Sequence, residues 1–290
     1  MTKFVIRLFG STLFEQNKVP HPLGIAGATL ELLRYLCVRS NQPHRRECLG
    51  EIFWENRSEK RQRAALNSAV WRLQKLIKTC PGLTLDTCAE YVRLVIAPSI
   101  CIDANDLTQQ VNAIQKAADV EAPQAARLEE AIAACRQPYL DGSNASWVLP
   151  ERERLFNIQM RGLAILMRWH GHQGLFEQAL EYGRELLARD PFREAALNEM
   201  LWLFVLNGQR AEAIRRFRQF QAQLREELDV DPLPETLALF DHIRSGMNRP
   251  HVSANETSRR ESFNTVLAAI ERSRRTTYQA LQTAALPDAL

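Results

Sequence analysis

Two stretches of the chain repeat the same pattern of residues at an interval of 34 positions. Gly174 and Gly208 stand 34 residues apart, and so do Ala179 and Ala213. The surrounding segments, GLFEQALEYGRELLARDP and GQRAEAIRRFRQFQAQLREELDVDP, align along most of their length. A repeat of this length has room for two helices, so this part of the chain is predicted to fold as stacked helix pairs.

Paired helices with a 34-residue period are typical of tetratricopeptide repeats. In that pattern we expect the glycine and the alanine to be small because the two helices of a repeat approach closely there. Asp190-Pro191 ends the first repeat twelve residues after Ala179, whereas Asp231-Pro232 arrives seven residues late. The later helix is therefore expected to run about two turns longer.

Charge is distributed unevenly along the chain. Residues 1–102 carry 15 Lys and Arg against 8 Asp and Glu, a net charge of +7, whereas residues 103–245 carry 16 against 22, a net charge of −6. Helical patterns fill residues 103–245, and residues 246–290 are predicted to form a flexible linker and a C-terminal amphipathic helix. We therefore predict three segments with boundaries after 102 and 245, and a polyanionic partner for the first.

Short strands and three helices alternate in residues 1–102. Strands are predicted at 4–9 and 12–15, a turn at 17–22, and helices at 28–39, 44–54 and 58–79. The segments LTLD and YVRLVI, separated by a polar turn, then predict a β-hairpin. This order is typical of a winged helix-turn-helix. The predicted fold is therefore mainly α, with an N-terminal winged helix-turn-helix (α+β) followed by an all-α tetratricopeptide-like domain.

The third predicted helix has two distinct faces. Ser58 suits its N-cap position. Its apolar residues fall at helical spacing and form one buried stripe, made of Leu66, Val70, Leu73 and Ile77. At 100° per residue, the opposite face holds Arg61, Ser68, Arg72, Lys75 and Thr79. Asn67 and Trp71 flank that face.

A helix face of this composition suits double-stranded DNA. Arginine and lysine neutralise phosphates, and arginine also binds guanine through two hydrogen bonds. Asn67 can read adenine, and the short Ser68 lets the helix lie deep in the major groove. A solvated charged face is the alternative, but the position of this helix before a hairpin favours DNA.

Other candidate contacts lie around this helix. Arg93 in the hairpin can touch the DNA backbone. Arg45 and Arg46, at the start of the second helix, can bind phosphates, although a solvated pair fits them equally well. Three positions remain open for the side chain of Trp71: it flanks the core, stacks on a sugar or meets the neighbouring domain. Partial burial is the commonest state of tryptophan in proteins.

Sequence motifs of catalysis and metal binding are missing. The chain has no phosphate-binding loop, dinucleotide-binding loop or nucleophile elbow, and its six histidines have no metal-ligand spacing. His170-Gly-His172 is expected to be a helix-terminal, half-exposed structural pair. The six cysteines lack a C-x-x-C pair and are predicted to be reduced thiols at small core positions, while Cys48/Leu49, Ile52 and Phe53 should share one face of the second helix.

These absences predict a protein that is not an enzyme and that takes no cofactor or metal. No run approaches the ~18 apolar residues that span a bilayer. The start, MTKFVIRLFG, is too short and too alternating for a signal peptide. We therefore expect a soluble cytoplasmic protein with no membrane partner.

Together these segments resemble the bacterial regulators of the antibiotic-regulatory type. That family joins an OmpR-like winged helix to a bacterial transcriptional activator domain built on tetratricopeptide-like helices. The resemblance covers about residues 3–245. It rests on FVIRLFG, LGEIFW at 49–54, R-x-A-L-N-x-x-V-x-R-L-x-K-L from Arg63 to Leu76, CIDANDL and the two repeat segments.

The resemblance implies sequence-specific binding to promoter DNA and recruitment of RNA polymerase. Arg63 and Arg72 align with arginines of the family's recognition helix. By periodicity Arg63 lies nearer the core side, which favours a phosphate contact or a structural ion pair. Trp71 stands where a small residue is usual. The resemblance begins with the winged helix, so aspartyl phosphorylation of a receiver domain is not the expected input.

The predicted DNA-binding residues are Arg45, Arg46, Arg61, Arg63, Asn67, Ser68, Trp71, Arg72, Lys75 and Arg93. The alternative function is a protein-interaction scaffold, in which the winged helix docks protein rather than DNA. The acidic helical repeats motivate it, because stacked helix pairs make concave binding surfaces. Self-association into a homodimer is also left open.

Overall fold

A computed structural model describes residues 4–11, 13–116 and 120–245. It confirms the predicted fold class, a mainly α chain with a winged helix-turn-helix at the N-terminus followed by helices. The described residues divide into two compact units, one up to residue 159 and the other from residue 160 onward. The boundary after residue 102 stays a prediction, and the predicted linker and helix at 246–290 lie outside the described residues. Within the described part, no helix is long and apolar enough to cross a membrane.

The first sheet gathers strands from both ends of the winged-helix segment. Strand β1 (Phe4–Ile6) pairs antiparallel with β2 (Phe14–Gln16), and β2 pairs antiparallel with β3 (Val19–Pro20). On its other side β1 pairs in parallel with β7 (Cys101–Ile102). The turn predicted at 17–22 is therefore only partly right. Asn17 and Lys18, at φ of 52° and 67°, turn the chain tightly enough for it to return as β3.

Three helices and a second sheet complete the winged helix. The helices are α1 (Ala28–Val38), α2 (Arg46–Trp54) and α3 (Glu59–Ile77), and the sheet has the order β4-β6-β5. Its strands are β4 (His44–Arg45), β5 (Leu83–Thr87) and β6 (Tyr91–Ile96), of which the last two form the predicted hairpin. The prediction that helix 2 begins at residue 44 is wrong, because β4 pairs there with β6 and is too short to show alternation.

The apolar stripe of α3 lies in the core as predicted. Leu66, Val70, Leu73 and Ile77 are all buried, and Ser58 occupies the N-cap position. In α2 only Leu49 and Gly50 are buried, whereas Cys48 and Ile52 are exposed. The predicted shared face is therefore wrong for those two residues. Gly50 packs against Gln62 of α3, which turns Cys48 and Ile52 toward solvent.

A buried carboxylate joins the first sheet to the helices that follow. Asp103 begins α4 (Asp103–Lys116), and its carboxylate accepts hydrogen bonds from the backbone N–H groups of Leu8 at 2.9 Å, Phe9 at 3.2 Å and Ala104 at 2.7 Å. After α5 (Ala122–Ala134), the N–H of Leu140 donates to the carbonyl of Leu8. The end of β1 is thus held from two sides, so the winged helix and residues 103–140 share one core.

An aromatic cluster ties α1 to its neighbours in the same unit. The ring of Tyr35 makes edge contacts with His44, Phe53 and Trp147 at centroid distances of 5.1, 5.6 and 5.2 Å. The guanidinium of Arg39 lies 5.1 Å from the same ring. The buried Tyr35 therefore packs α1 against β4, α2 and Trp147, the residue just before the helix that begins at Val148.

Five helices carry the rest of the described chain. They are α6 (Val148–His172), α7 (Phe176–Arg189), α8 (Glu194–Leu206), α9 (Arg210–Leu228) and α10 (Pro234–Ser245). Helices α7 and α9 begin 34 residues apart, as the repeat predicts. Helix α9 has 19 residues against 14 in α7, so the extension is real but shorter than the predicted two turns.

The repeated glycines have a different role from the one predicted. Gly174 and Gly208 adopt φ of 76° and 77°, the left-handed conformation that ends a helix and that glycine adopts without strain. Among the described residues, no atom lies within 4 Å of a Cβ built on Gly208. Close helix approach is therefore the wrong reason for that glycine. A close approach of helices does occur at Gly183, where a Cβ would lie 2.5 Å from Cγ of Met200.

Polar contacts fix the helices of the second unit to one another. Arg168 of α6 donates to both carboxylate oxygens of the buried Glu199 of α8 at 2.9 and 2.5 Å. The prediction that His170 and His172 form a helix-terminal, half-exposed pair is only partly right. The pair does end α6, but His170 is buried and stacks on Tyr182 at 5.3 Å, because it faces α7.

The buried Asp103 should leave a signature in the pH dependence of stability. Burial raises the pKa of its carboxyl from 3.8 to about 6, although three backbone N–H groups and Arg7 favour the charged form. Between about pH 4 and 6 the folded chain keeps a proton that the unfolded chain has released, so this contribution is full below pH 4 and is lost as the pH rises through 6. The stability advantage over Asp103→Asn should fall by about 2 kcal/mol between about pH 4 and 7 in urea denaturation.

Asp106→Asn on the same helix is the matched control for Asp103→Asn. The difference between wild type and this control should not show the same fall, because Asp106 is partly exposed. A stability difference between wild type and Asp103→Asn that stays constant over this range would contradict the role given to burial.

Gly183→Ala tests the close approach of α7 and α8. The added methyl group must displace the side chain of Met200, and we expect it to lower the free energy of unfolding by about 1 kcal/mol despite the better helix propensity of alanine. In a Met200→Ala background the space on the α8 side exists and only Sδ of Met167, at 3.1 Å, must shift slightly, so the same change should cost clearly less there. Denaturation of the four proteins gives the coupling, and additive effects would refute close packing at Gly183.

Candidate nucleic-acid interface

The outer face of α3 presents the predicted row of polar and cationic side chains. Arg61, Ser68, Arg72 and Lys75 are exposed on α3, and Thr79, which is also exposed, lies just past the end of the helix at Ile77. Across the part of the chain that the structure describes, Arg61, Arg72 and Lys75 form no ion pair. Their charges are therefore available to an external anion. Lys60 and Lys78 are exposed at neighbouring positions and were missed, although the same helical spacing could have found them.

Arg63 lies elsewhere than predicted. Its side chain is 65% exposed, and its guanidinium pairs with the carboxylate of Glu59 one turn earlier at 2.5 Å. The expectation that it lies nearer the core is wrong, because at this end of α3 the core contact is made by Gln62 on Gly50. The expected ion pair is present, on the solvent side of the helix.

Ser68 directs its hydroxyl into its own helix. Its Oγ donates to the carbonyl of Ala64 at 3.0 Å, a common use of serine in a helix. The hydroxyl proton is therefore engaged, and Ser68 offers its neighbours a short side chain with an acceptor. This agrees with the steric role expected from the sequence, which stays a prediction.

Arg46 joins three elements of the winged helix. From the first residue of α2, its guanidinium donates to the carbonyl of Cys88 in the hairpin turn at 3.2 Å and to Oδ1 of Asn67 on α3 at 2.6 Å. Its backbone N–H donates to the carbonyl of Glu90. The structure thus brings together Arg46 and Asn67, two residues predicted to act separately.

Arg45 and Arg93 lie on the sheet beside that junction. Arg45 ends β4, is exposed and pairs in register with Tyr91 of β6. Arg93 is half-exposed and pairs with Asp86 across the hairpin at 2.5 Å, and the hydroxyl of Tyr91 donates to the same carboxylate. Arg93 is therefore held on the hairpin by a carboxylate, whereas Arg45 points its charge to solvent.

Trp71 borders an open groove. Its side chain is 64% exposed, so flanking the core is excluded, and Nζ of Lys75 lies 5.9 Å from its ring centroid. The groove has a volume of about 580 Å³ and is lined by residues 21–25 together with Trp71, Arg72, Lys75, Leu76 and Thr79. This lining contains two cations and no carboxylate, which suits an anionic partner.

The sequence did not predict that residues 21–25 line this groove. Nε2 of His21 lies 3.1 Å from Oγ1 of Thr79, so the loop is held against the end of α3. These two residues are 58 positions apart, and no local pattern announces such a tertiary contact.

Cysteine burial follows the prediction in only half of the cases. Cys37, Cys80 and Cys135 are buried, Cys101 is half-buried, and Cys48 and Cys88 are exposed. All six are free thiols. Burial raises the pKa of the Cys37 and Cys135 thiols, so both stay protonated. Within the described ranges, no group of three or more His, Cys, Asp or Glu side chains is placed to hold a metal ion.

Comparison with protein families identifies the class of the helical part. Residues 102–244 match the model of the Bacterial transcriptional activator domain. The match begins at β7 and ends in α10. The match supports a bacterial transcription regulator. It does not include the winged helix, which precedes residue 102.

Curated relatives are also transcription regulators. Transcriptional regulatory protein EmbR from Mycobacterium tuberculosis and from Mycobacterium bovis is 23% identical over 264 residues, which cover 86% of this chain. The chain spans 65% of the length of these relatives. The solved structure of Mycobacterium tuberculosis EmbR in complex with a low affinity phosphopeptide shares the fold, with a TM-score of 0.71 at 20% identity over 93% of this chain and 71% of that one.

Proposed function

We propose that this protein is a sequence-specific DNA-binding transcription regulator, and that it activates transcription from promoter DNA. The observation that carries the proposal is the row of exposed cations on α3, Arg61, Arg72 and Lys75, which have no carboxylate partner among the described residues. The match of residues 102–244 to an activator domain supports the regulatory role. A regulator of this kind acts in the cytoplasm and performs no catalysis.

In this proposal α3 enters the major groove and the hairpin β5–β6 acts as the wing, in the manner of OmpR-like proteins. Arg72 and Arg61 contact bases or phosphates from the middle and start of the helix. Lys75 neutralises a phosphate as a point charge, since its compact ammonium does not offer the planar fork of arginine. Trp71 and the groove beside it accept the sugar-phosphate backbone at the end of the helix.

The helical part would supply the protein contacts. Stacked helix pairs of the tetratricopeptide type present extended surfaces, and we propose RNA polymerase as a partner, with self-association into a homodimer as a further use. The related EmbR structure holds a phosphopeptide, which makes a peptide partner a second possibility for testing.

A protein-interaction scaffold is the second candidate function. It is favoured by the fact that Arg93, Arg63 and Arg46 are engaged by Asp86, Glu59 and Asn67 rather than left for DNA. A pull-down that requires residues 103–245 but tolerates loss of Arg61, Arg72 and Lys75 would support it over the DNA-binding proposal.

Replacement of Arg72 and Lys75 tests DNA binding. In mobility-shift assays on the protein's own promoter region, Arg72→Ala should weaken binding about 5- to 150-fold, which corresponds to about 1–3 kcal/mol for a base contact. Lys75→Ala should weaken it uniformly across sequences and reduce the slope of log affinity against log salt by about one.

Arg218→Ala on α9 is the matched control, since it removes one exposed arginine from the second unit. It should leave both affinity and salt slope unchanged. If the intact protein shows no salt-sensitive binding to any genomic fragment, the proposal is wrong.

A further inference from the structure

The side chain of Asn67 is already held by a hydrogen bond before any DNA arrives. Its Oδ1 accepts from Nη2 of Arg46 at 2.6 Å, a short, charge-assisted contact. The other terminal nitrogen of Arg46 donates to the carbonyl of Cys88 in the hairpin turn. The guanidinium is therefore fixed between the wing and α3, and Asn67 is fixed by it.

This contact decides which end of the carboxamide is left for a base. Oxygen and nitrogen lie on opposite sides of the planar amide, so an oxygen directed at Arg46 turns the NH₂ group away from it. Asn67 is exposed and flanks the cationic row of α3. On that helix it offers two donors, while one lone pair of its acceptor oxygen is engaged within the protein.

The donor pattern selects among purines. Adenine presents N7 as an acceptor and N6 as a donor, so an asparagine reads it with both its nitrogen and its oxygen. Guanine presents two acceptors, N7 and O6, which match an NH₂ group alone. With the guanidinium bound at Oδ1, the N6 donor of adenine could reach only the remaining lone pair of that oxygen, beside a cation, whereas guanine needs no acceptor from Asn67.

We propose that Arg46 is a positioning residue that makes Asn67 read guanine rather than adenine. This proposal rests on the proposed DNA-binding function. It replaces two sequence-based expectations, a phosphate contact for Arg46 and an adenine contact for Asn67. Arg46 sets the base preference through the orientation of Asn67, and it makes no contact with the base itself.

The neighbouring arginine provides a matched control. Arg45 is exposed and stands one residue before Arg46, at the end of β4. Loss of a phosphate contact would lower affinity for all sequences alike, whereas loss of a positioning residue would change preference at one base pair. The two arginines therefore separate charge from orientation.

The experiment selects binding sites from a randomised DNA library with the full-length protein and its variants, and then measures affinities on purified sites. Asn67→Ala identifies the base pair that Asn67 reads, since preference there should become flat. At that position the wild type should favour guanine over adenine by about tenfold, the discrimination expected for a matched pair of hydrogen bonds.

Arg46→Met and Arg46→Lys should both shift the preference at that base pair toward adenine, with an unchanged salt slope. Lysine keeps the charge but lacks the planar fork that bridges two acceptors, so it should not rescue the preference. Arg45→Met should keep the guanine preference and lower affinity uniformly. Thermal unfolding of each variant confirms that the fold is retained, and Arg46→Lys carries the test if Arg46→Met is unstable.

Three results would overturn the proposal. The first is a wild-type preference for adenine at the Asn67 position, or no change of preference in Asn67→Ala. The second is a uniform loss of affinity in Arg46→Met, with the salt slope reduced by about one and restored by lysine, which would make Arg46 a phosphate contact. The third is a guanine preference that survives in both Arg46 variants. Absence of salt-sensitive binding by the wild type would instead overturn the proposed function itself.

Discussion

The carboxylate of Asp103 is the point at which the winged helix becomes continuous with the helices after it. It receives three backbone N–H groups, two of them from Leu8 and Phe9 just past β1, in a site where the carboxyl is almost fully buried. An unpaired N–H in that place would cost about 1–3 kcal/mol. Because β7 pairs with β1 in the two residues before Asp103, one short segment closes the sheet, starts α4 and anchors the first strand.

The charges on the outer face of α3 contrast with the buried, hydrogen-bonded carboxylate of Asp103. Its inner stripe is apolar and buried, while the cations of its outer face have no carboxylate to neutralise them among the residues that the structure describes. Beside that face two arginines are paired with carboxylates, Arg93 with Asp86 and Arg63 with Glu59. The winged helix thus keeps a band of unneutralised charge on one helix while Arg93, Arg63 and Arg46 make internal contacts, which concentrates any anion at that band.

Periodicity predicted the helices, the hairpin and the buried stripe of α3 because each extends over several repeats of its pattern. It did not reveal β3, β4 or β7, since strands of two residues have no period, and each exists only through a partner elsewhere in the sequence. The same limit applies to the site. The exposed row on α3 could be read from the helical angle, but the contact of Arg46 with Asn67 and that of His21 with Thr79 join residues 21 and 58 positions apart.

The hydrogen bonds at the end of β1 also bear on how such a protein can be divided or recombined. The carbonyl and N–H of Leu8 are bound to residues 140 and 103, and Gly10 donates to the carbonyl of Pro138. A fragment cut after residue 102 would expose these groups together with the apolar surface beneath them. Exchange of winged helices between proteins of this architecture must therefore carry residues 103–140 along, because the folded unit does not end where its last strand ends.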